Sequence, residues 1–190
     1  MSVHGFVLAG GRSTRMGRDK ALLAWRGGAL LGAVARQLAP VVEGVTIIGS
    51  PALYGGLGYE VVPDLTPGLG PLGGIETALS LERAEWNVIV ACDMPNLTTA
   101  TLGQLVELAS VSDADCVLPL SAGERAEPLC AVYRRSCLRV IRQALAADDR
   151  KVTNALKKLQ VVHFSLENQD EVLNLNTPGD WAAFLGSQRG

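Results

Sequence analysis

The sequence predicts an α/β fold of three layers, a mostly parallel twisted sheet with helices on both faces. Three observations predict it. Short aliphatic runs alternate with helical patterns through most of the first 120 residues, the mark of βα units and a parallel sheet. Two runs, Val45-Thr46-Ile47-Ile48-Gly49 and Asn87-Val88-Ile89-Val90-Ala91, are nearly continuously apolar, as strands covered on both faces are. Hydrophobic residues make up 48% of the 190-residue chain and charged residues 19%, a composition that builds a sizeable core and argues against disorder.

Taken in order, residues 3–8 form the first strand. After a polar, glycine-rich stretch, residues 20–25 are short and mixed, and Arg26-Gly27-Gly28 is a turn. Residues 29–38 form a helix with Leu30, Leu31, Val34 and Leu38 on one side, and Pro40 stops it. Residues 45–49 and 59–62 are strands. A Gly/Pro-rich loop at 67–74 precedes a helix at 75–84. Residues 87–91 form a central strand. Thr98 or Thr99 caps a helix that runs to about Ala109, with Leu102, Leu105 and Val106 inward. Strands follow at 115–120 and 128–134, separated by a polar loop. Helices at 137–147 and 152–159, a strand at 161–165 and a helix at 179–185 complete the chain, with Thr177 placed to cap the last helix and Pro178 at its first position. No repeat or linker divides the chain. It reads as one domain, 1–190, with a ligand-binding half at about 1–100 and a second half at about 101–190.

Composition excludes several classes. A net charge of −2 argues against nucleic-acid binding driven by bulk charge. No apolar run is long enough for a membrane span, and no signal layout opens the chain, so cytoplasm is the expected location. Cys92, Cys116, Cys130 and Cys137 form no C-x-x-C pair and lie in or beside apolar stretches, which predicts reduced structural thiols. His4 and His163 lie beside strand-like segments and read as structural.

Three stretches carry chemistry. The first is Leu8-Ala9-Gly10-Gly11-Arg12-Ser13-Thr14-Arg15-Met16-Gly17-Arg18-Asp19-Lys20. A strand opening into a glycine-rich cationic loop before a helix suits phosphate: Gly10 and Gly11 let backbone N–H groups approach an anion, and Arg15 and Lys20 supply charge. Neither the P-loop nor the G-x-G-x-x-G pattern is present; the bland reading is a basic surface turn. Asp19 reads as a structural partner of this loop. The second is Pro67-Gly68-Leu69-Gly70-Pro71-Leu72-Gly73-Gly74, where backbone around Gly70 can approach a ligand and aim helix N–H groups at it; a plain loop is the alternative. The third is Cys92-Asp93-Met94-Pro95. A carboxylate just past a buried parallel strand lies where open α/β sheets bind ligands, and Asp93 suits Mg²⁺ shared with phosphates and waters. The alternative is a turn or cap role.

With these residues, the chain resembles the molybdenum cofactor guanylyltransferase (MobA) family. The resemblance rests on Leu-Ala-Gly-Gly-x-Ser-x-Arg-Met-Gly-x-Asp-Lys, on Gly70-Pro71-Leu72-Gly73-Gly74, on Cys92-Asp93-Met94-Pro95 and on Asn174-x-Asn176-Thr177-Pro178, and it covers nearly the whole chain. It implies a Rossmann-like nucleotidyltransferase fold that joins GMP from GTP to the terminal phosphate of molybdopterin, forming a guanine dinucleotide and releasing pyrophosphate. Leu8, Ala9 and Gly10 match the family's nucleotide contacts, Lys20 its phosphate-binding lysine, Asp64 an acid near the nucleoside and Asp93 the Mg²⁺ ligand. Asn174 and Asn176 match the pterin-side motif, and Arg150 aligns loosely with a basic position on that side. Gly49 departs from the pattern, since the family often has Asn after its second strand. The related cytidylyltransferases usually carry Ala-Ala-Gly where this chain has Ala9-Gly10-Gly11, and the extra glycine, Gly10, by resemblance favours guanine. Other proteins of the molybdenum cofactor pathway and recipient molybdoenzymes are the implied protein partners.

The expected chemistry is positioning plus electrostatics. Arg15 and Lys20 hold the triphosphate, Asp93 holds Mg²⁺, and no general base is needed because a substrate phosphate is already ionised. Two rivals stand beside this reading: a transferase of the same fold using CTP or a sugar phosphate, and a non-catalytic nucleotide-binding regulator.

Overall fold

The computed structural model describes residues 1–10 and 19–187. The elements run β1 (Val3–Ala9), β2 (Ala24–Trp25), β3 (Gly28–Ala29), α1 (Leu30–Leu38), β4 (Val45–Gly49), α2 (Pro51–Tyr54), β5 (Glu60–Val62), α3 (Gly70–Ser80), β6 (Trp86–Ala91), α4 (Thr99–Val111), β7 (Cys116–Ser121), β8 (Arg125–Ala126), β9 (Cys130–Arg134), α5 (Leu138–Ala146), α6 (Val152–Leu156), β10 (Val161–Ser165) and α7 (Pro178–Ser187). The main sheet has the order β10-β7-β9-β6-β1-β4-β5, with β8 paired to β7. All neighbours along that order are parallel except β9, which runs antiparallel to both β6 and β7. The predicted mostly parallel sheet is therefore present, with one reversed strand near its middle.

Alternation along the strands divides the core in two. Val7, Val88 and Val90 face one side, where Leu31, Val34, Leu102 and Leu105 of α1 and α4 cover them. Phe6, Leu8 and Ile89 face the other, under Leu72, Ile75 and Leu79 of α3 and Ile141 of α5. This is the period-two pattern of strands buried on both faces, and each fully buried aliphatic side chain contributes about 1.5–3 kcal/mol. All four cysteines are free and buried. Burial pushes the thiols of Cys92, Cys130 and Cys137 up to about 12, which leaves them inert at neutral pH. His4 Nε2 lies 3.0 Å from Thr46 Oγ1 across β1 and β4, a structural role as expected. Among the described residues, no helix is long and apolar enough to cross a membrane.

The third helix differs from its expected bounds. It begins at Gly70 rather than residue 75 and ends at Ser80. Pro71 fits the first turn, where its missing N–H costs nothing. The tight approach of Gly74 to Leu8, where a Cβ would stand 3.1 Å from Leu8 Cδ1, seats that first turn against β1. The left-handed φ of +87° at Gly68 and +67° at Gly70 turns the chain into the helix. Reading those glycines as loop misplaced the boundary, while the expectation that helix N–H groups face the site survives in the earlier start.

Candidate nucleotide and acceptor site

Parallel strands end together, so β1 and β6 deliver Leu8-Ala9-Gly10 and Cys92-Asp93 to the same edge. The Cys92 N–H donates to the Leu8 carbonyl at 3.2 Å, which ties the two ends. The Leu175 N–H donates to the Asp93 carbonyl at 3.0 Å and draws the segment before α7 to that edge. Asp180 accepts from the N–H groups of Asn176 and Thr177 at 2.9 and 2.8 Å, and the Asp180 N–H donates to Thr177 Oγ1 at 3.1 Å. This reciprocal cap fixes Asn176 beside the site. Trp25 packs on Phe184 at 4.8 Å between ring centroids and holds α7 against the β2–β3 hairpin.

Two clefts open at this edge and share Leu8, Gly10 and Pro71. One, of about 780 Å³, is lined by Asp64, Ile48 and the start of α3 with Gly68 and Gly70. The other, of about 330 Å³, is lined by Lys20, Asp93, Asn174, Asn176, Arg125 and Glu127. Both volumes lie in the range of small-molecule sites. A third depression, of about 800 Å³, lies at the opposite edge of the sheet, where Arg135 and Arg142 are paired with Glu82 and Glu76. It is broad and charge-balanced and carries none of the predicted residues.

Lys20 opens a short helical turn, Lys20–Leu22, whose cap is Asp19: the Ala21 N–H donates to Asp19 Oδ1 at 3.0 Å. The Tyr54 hydroxyl donates to Asp19 Oδ2 at 2.6 Å. Burial first, and then Asp19, push the Tyr54 hydroxyl above the usual phenol value, so it remains a donor. With the turn held this way, Lys20 Nζ forms an ion pair with Asp93 Oδ2 and donates to Asn176 Oδ1 at 3.4 Å. The side chains of Lys20 and Asp93 are only 23% and 10% exposed, so their charges act with little screening. Asp19 is thus the structural partner it was expected to be, and Tyr54 is a residue the sequence did not signal.

Asp93 Oδ1 is buried and has no hydrogen-bond partner among the described residues. An orphaned carboxylate oxygen beside a cleft is the hard anionic ligand that Mg²⁺ takes. No group of three His, Cys, Asp or Glu converges among the described residues, so a cation held here would complete its shell with phosphates and water. That donor set fits Mg²⁺.

Asp64 faces Gly10, where a Cβ would stand 3.5 Å from Asp64 Oδ2. Burial holds its carboxyl above the usual carboxylate range. Gly49 explains the departure from the family pattern: a Cβ there would stand 2.4 Å from the Ala9 carbonyl oxygen and 2.8 Å from the Tyr54 ring. The ring occupies the space an Asn would need. Arg150 stands apart from Asn174 and Asn176. It pairs with Asp148 at 2.9 Å and donates to the Gly68 carbonyl at 3.3 Å, on the loop that lines the larger cleft. Gly11 and Arg15 lie outside the described residues. Arg125 and Glu127 were read as part of a polar loop, and only the pairing of β8 with β7 brings them to the site.

A mostly parallel sheet between helical layers, with a cation and a carboxylate lining one of two adjoining ligand-sized clefts, has the build of a nucleotidyltransferase. The chain belongs to the MobA-like NTP transferase family, whose domain description matches residues 5–162. It is 38% identical to the probable molybdenum cofactor guanylyltransferase of Pelotomaculum thermopropionicum, over 93% of this chain and 88% of that protein. It is 33% identical to the molybdenum cofactor guanylyltransferase of Pseudomonas putida (strain GB-1), over 90% of this chain and 92% of that one. The crystal structure of molybdopterin-guanine dinucleotide biosynthesis protein A from Archaeoglobus fulgidus matches with a TM-score of 0.82 at 25% identity, covering 97% of this chain and 99% of that chain. The family read from the motifs and the fold read from the pattern both hold.

Proposed function

We propose that this chain transfers GMP from GTP to the terminal phosphate of molybdopterin, giving a molybdopterin guanine dinucleotide and pyrophosphate. The observation that carries the reading is the pairing of Lys20 with Asp93 on the lining of the smaller cleft, which adjoins the larger one through Leu8, Gly10 and Pro71. The larger cleft takes the nucleoside, with Asp64 on its wall and the first turn of α3 presenting N–H groups to it. Leu8, Ala9, Gly10 and Gly70 offer backbone contacts there. The smaller cleft, with Asn174 and Asn176, takes the acceptor.

In this reaction an acceptor phosphate oxygen attacks the α-phosphorus of GTP. The new P–O bond forms as the bond from the α-phosphorus to the bridging oxygen breaks, and the electron pair leaves with pyrophosphate. Lys20 swings from Asp93 to the phosphates and neutralises charge that develops there. Gly10 lets the backbone approach them. Arg15 is assigned to the outer phosphates and Gly11, with Gly10, to the triphosphate by the chemistry of a glycine-rich cationic loop. Asp93 would hold Mg²⁺, whose chemistry at this position is neutralisation of phosphate oxygens. No side chain is needed as a base, because a phosphate monoester is mostly ionised near neutral pH (second pKa about 6).

The test is pyrophosphate release from GTP, CTP, ATP or UTP with Mg²⁺, each with and without molybdopterin. Release from GTP that requires molybdopterin supports the reading. Preference for CTP would make the protein a cytidylyltransferase, and release from no nucleotide with a competent acceptor would make it a binding protein.

A further inference from the structure

Glu127 is a carboxylate that the transfer chemistry does not use. Its side chain is 7% exposed, yet it lines the same cleft as Lys20, Asp93, Asn174 and Asn176. The backbone fixes it: the Glu127 N–H donates to the Pro119 carbonyl at 3.1 Å, and the Cys130 N–H donates to the Glu127 carbonyl at 3.0 Å. The Ser121 hydroxyl donates to Oε1 at 2.6 Å, and Arg125 Nε stands 3.6 Å from the same oxygen. Oε2 accepts no hydrogen bond among the described residues. Among the described residues, one oxygen is thus held in place and the other meets no donor.

A buried carboxylate repels phosphate, so on an anionic acceptor it suits the neutral part that donates hydrogen bonds. Oε2 can take an N–H donor lying in the plane of a ring. The 2-amino-4-oxopyrimidine edge supplies one from its exocyclic amine, and both guanine and pterin carry that edge. Guanine has its own carboxylate in the larger cleft at Asp64, whereas Glu127 lies with Asn174 and Asn176. Pro128 and Leu129 beside it offer apolar contact to a ring face. The geometry points to Glu127 as the specificity-determining residue for the acceptor, reading the 2-amino-4-oxopyrimidine edge of its pterin, with Ser121 as its positioning residue. This assignment rests on the functional reading above for the identity of the acceptor.

Binding of free heterocycles tests it without turnover. Pterin is compared with lumazine, in which a carbonyl replaces the 2-amino group, by fluorescence titration. The wild-type protein is expected to bind pterin about 10- to 100-fold more tightly than lumazine, the size of a charge-assisted contact. In Glu127→Gln, Ser121 still holds Oε1, so the amide NH₂ faces the cleft and suits the lumazine carbonyl. This variant is expected to reverse the preference with GTP affinity unchanged, while Ser121→Ala, which loses the hydroxyl that orients Oε1, narrows the preference for pterin. Equal binding of the two heterocycles by the wild type overturns the assignment, even where the glutamine variant fails to fold. So does an unchanged ratio in a folded Glu127→Gln, or a loss of GTP affinity there with the pterin ratio intact, which would assign the carboxylate to guanine. Absence of GMP transfer would count against the functional reading alone, since heterocycle binding is measured separately.

Discussion

Replacing Gly49 with alanine puts a methyl group where the structure has no room for one. The new Cβ would stand 2.4 Å from the Ala9 carbonyl oxygen, 2.8 Å from Tyr54 Cε2 and 3.0 Å from Tyr54 Cδ2. The ring can tilt; the carbonyl belongs to β1, in register with Gly49 itself. To reach even a tight 3.0 Å the two backbones must part by about 0.6 Å. Overpacking of this kind costs about 1–3 kcal/mol. The gain an alanine brings by restricting the unfolded chain, about 0.4–1 kcal/mol, only partly offsets it. A net loss of about 1–2 kcal/mol lowers the melting temperature by about 2–8 °C in a chain of this size. The displacement also enters Leu8-Ala9-Gly10, where a misplacement approaching 1 Å weakens productive GTP binding about 10-fold or more. Urea unfolding and calorimetric titration with GTP measure the two effects. A Gly49→Ala protein with wild-type midpoint and wild-type GTP affinity would refute the argument. Gly49→Asn, which restores the common family residue, is expected to behave no better, because Tyr54 fills the space its side chain would need.

Lys20→Ala removes the cation that lines the smaller cleft and is expected to lower kcat/KM at least about 100-fold, measured by pyrophosphate release; near-full turnover would exclude Lys20 from the transfer step. Tyr54→Phe takes the donor from Asp19 Oδ2 and should lower kcat, with Asp19→Asn doing the same and the double variant adding little, because both act through the turn that carries Lys20; additive losses would separate them. Burial, and then repulsion from Arg83, hold the His4 imidazole below its usual value of about 6.5. The unfolded chain therefore binds more protons between the two values, so this contribution to stability is present above pH about 6.5 and is lost as pH falls through that range. His4→Gln is expected to flatten that part of a melting-temperature profile, and an unchanged slope would show that His4 does not titrate on unfolding.

The layered fold was legible because it follows from local periodicities. Val7, Val88 and Val90 alternate with Phe6 and Ile89, and each set finds its own helical layer. What was missed lacks a periodic signal. The helix Pro51–Tyr54 has four residues, too few to show a 3.6-residue repeat, so Tyr54 had no apparent role. β9 was visible as a strand, but its direction depends on the connection through β8, where Gly123 and Glu124 turn with φ of +75° and +60°. The start of α3 was hidden because glycine disfavours helices in general, while here it permits close packing. Glu127 read as a solvated loop residue since nothing local predicts that β7 and β8 will bury it.

The candidate site shows in the sequence as separate chemical capacities and not as an arrangement. Leu8, Lys20, Asp93 and Asn176 each announced a chemical capacity, but Lys20 and Asp93 are 73 positions apart and Lys20 and Asn176 are 156 apart. Convergence follows from one property of the fold: β1 and β6 are adjacent and parallel, so whatever follows each strand emerges at the same edge. A lysine and an aspartate brought there pair with one another. That pairing keeps a poorly hydrated carboxylate and a partly buried ammonium from standing alone, each of which would cost several kcal/mol by order of magnitude. A triphosphate that arrives with a divalent cation carries the opposite sign for each partner, so it can replace both halves of the pair at once. On the proposed function, the same two charges both steady this edge of the sheet and take part in transfer, which is why neither can be read as structural or functional alone.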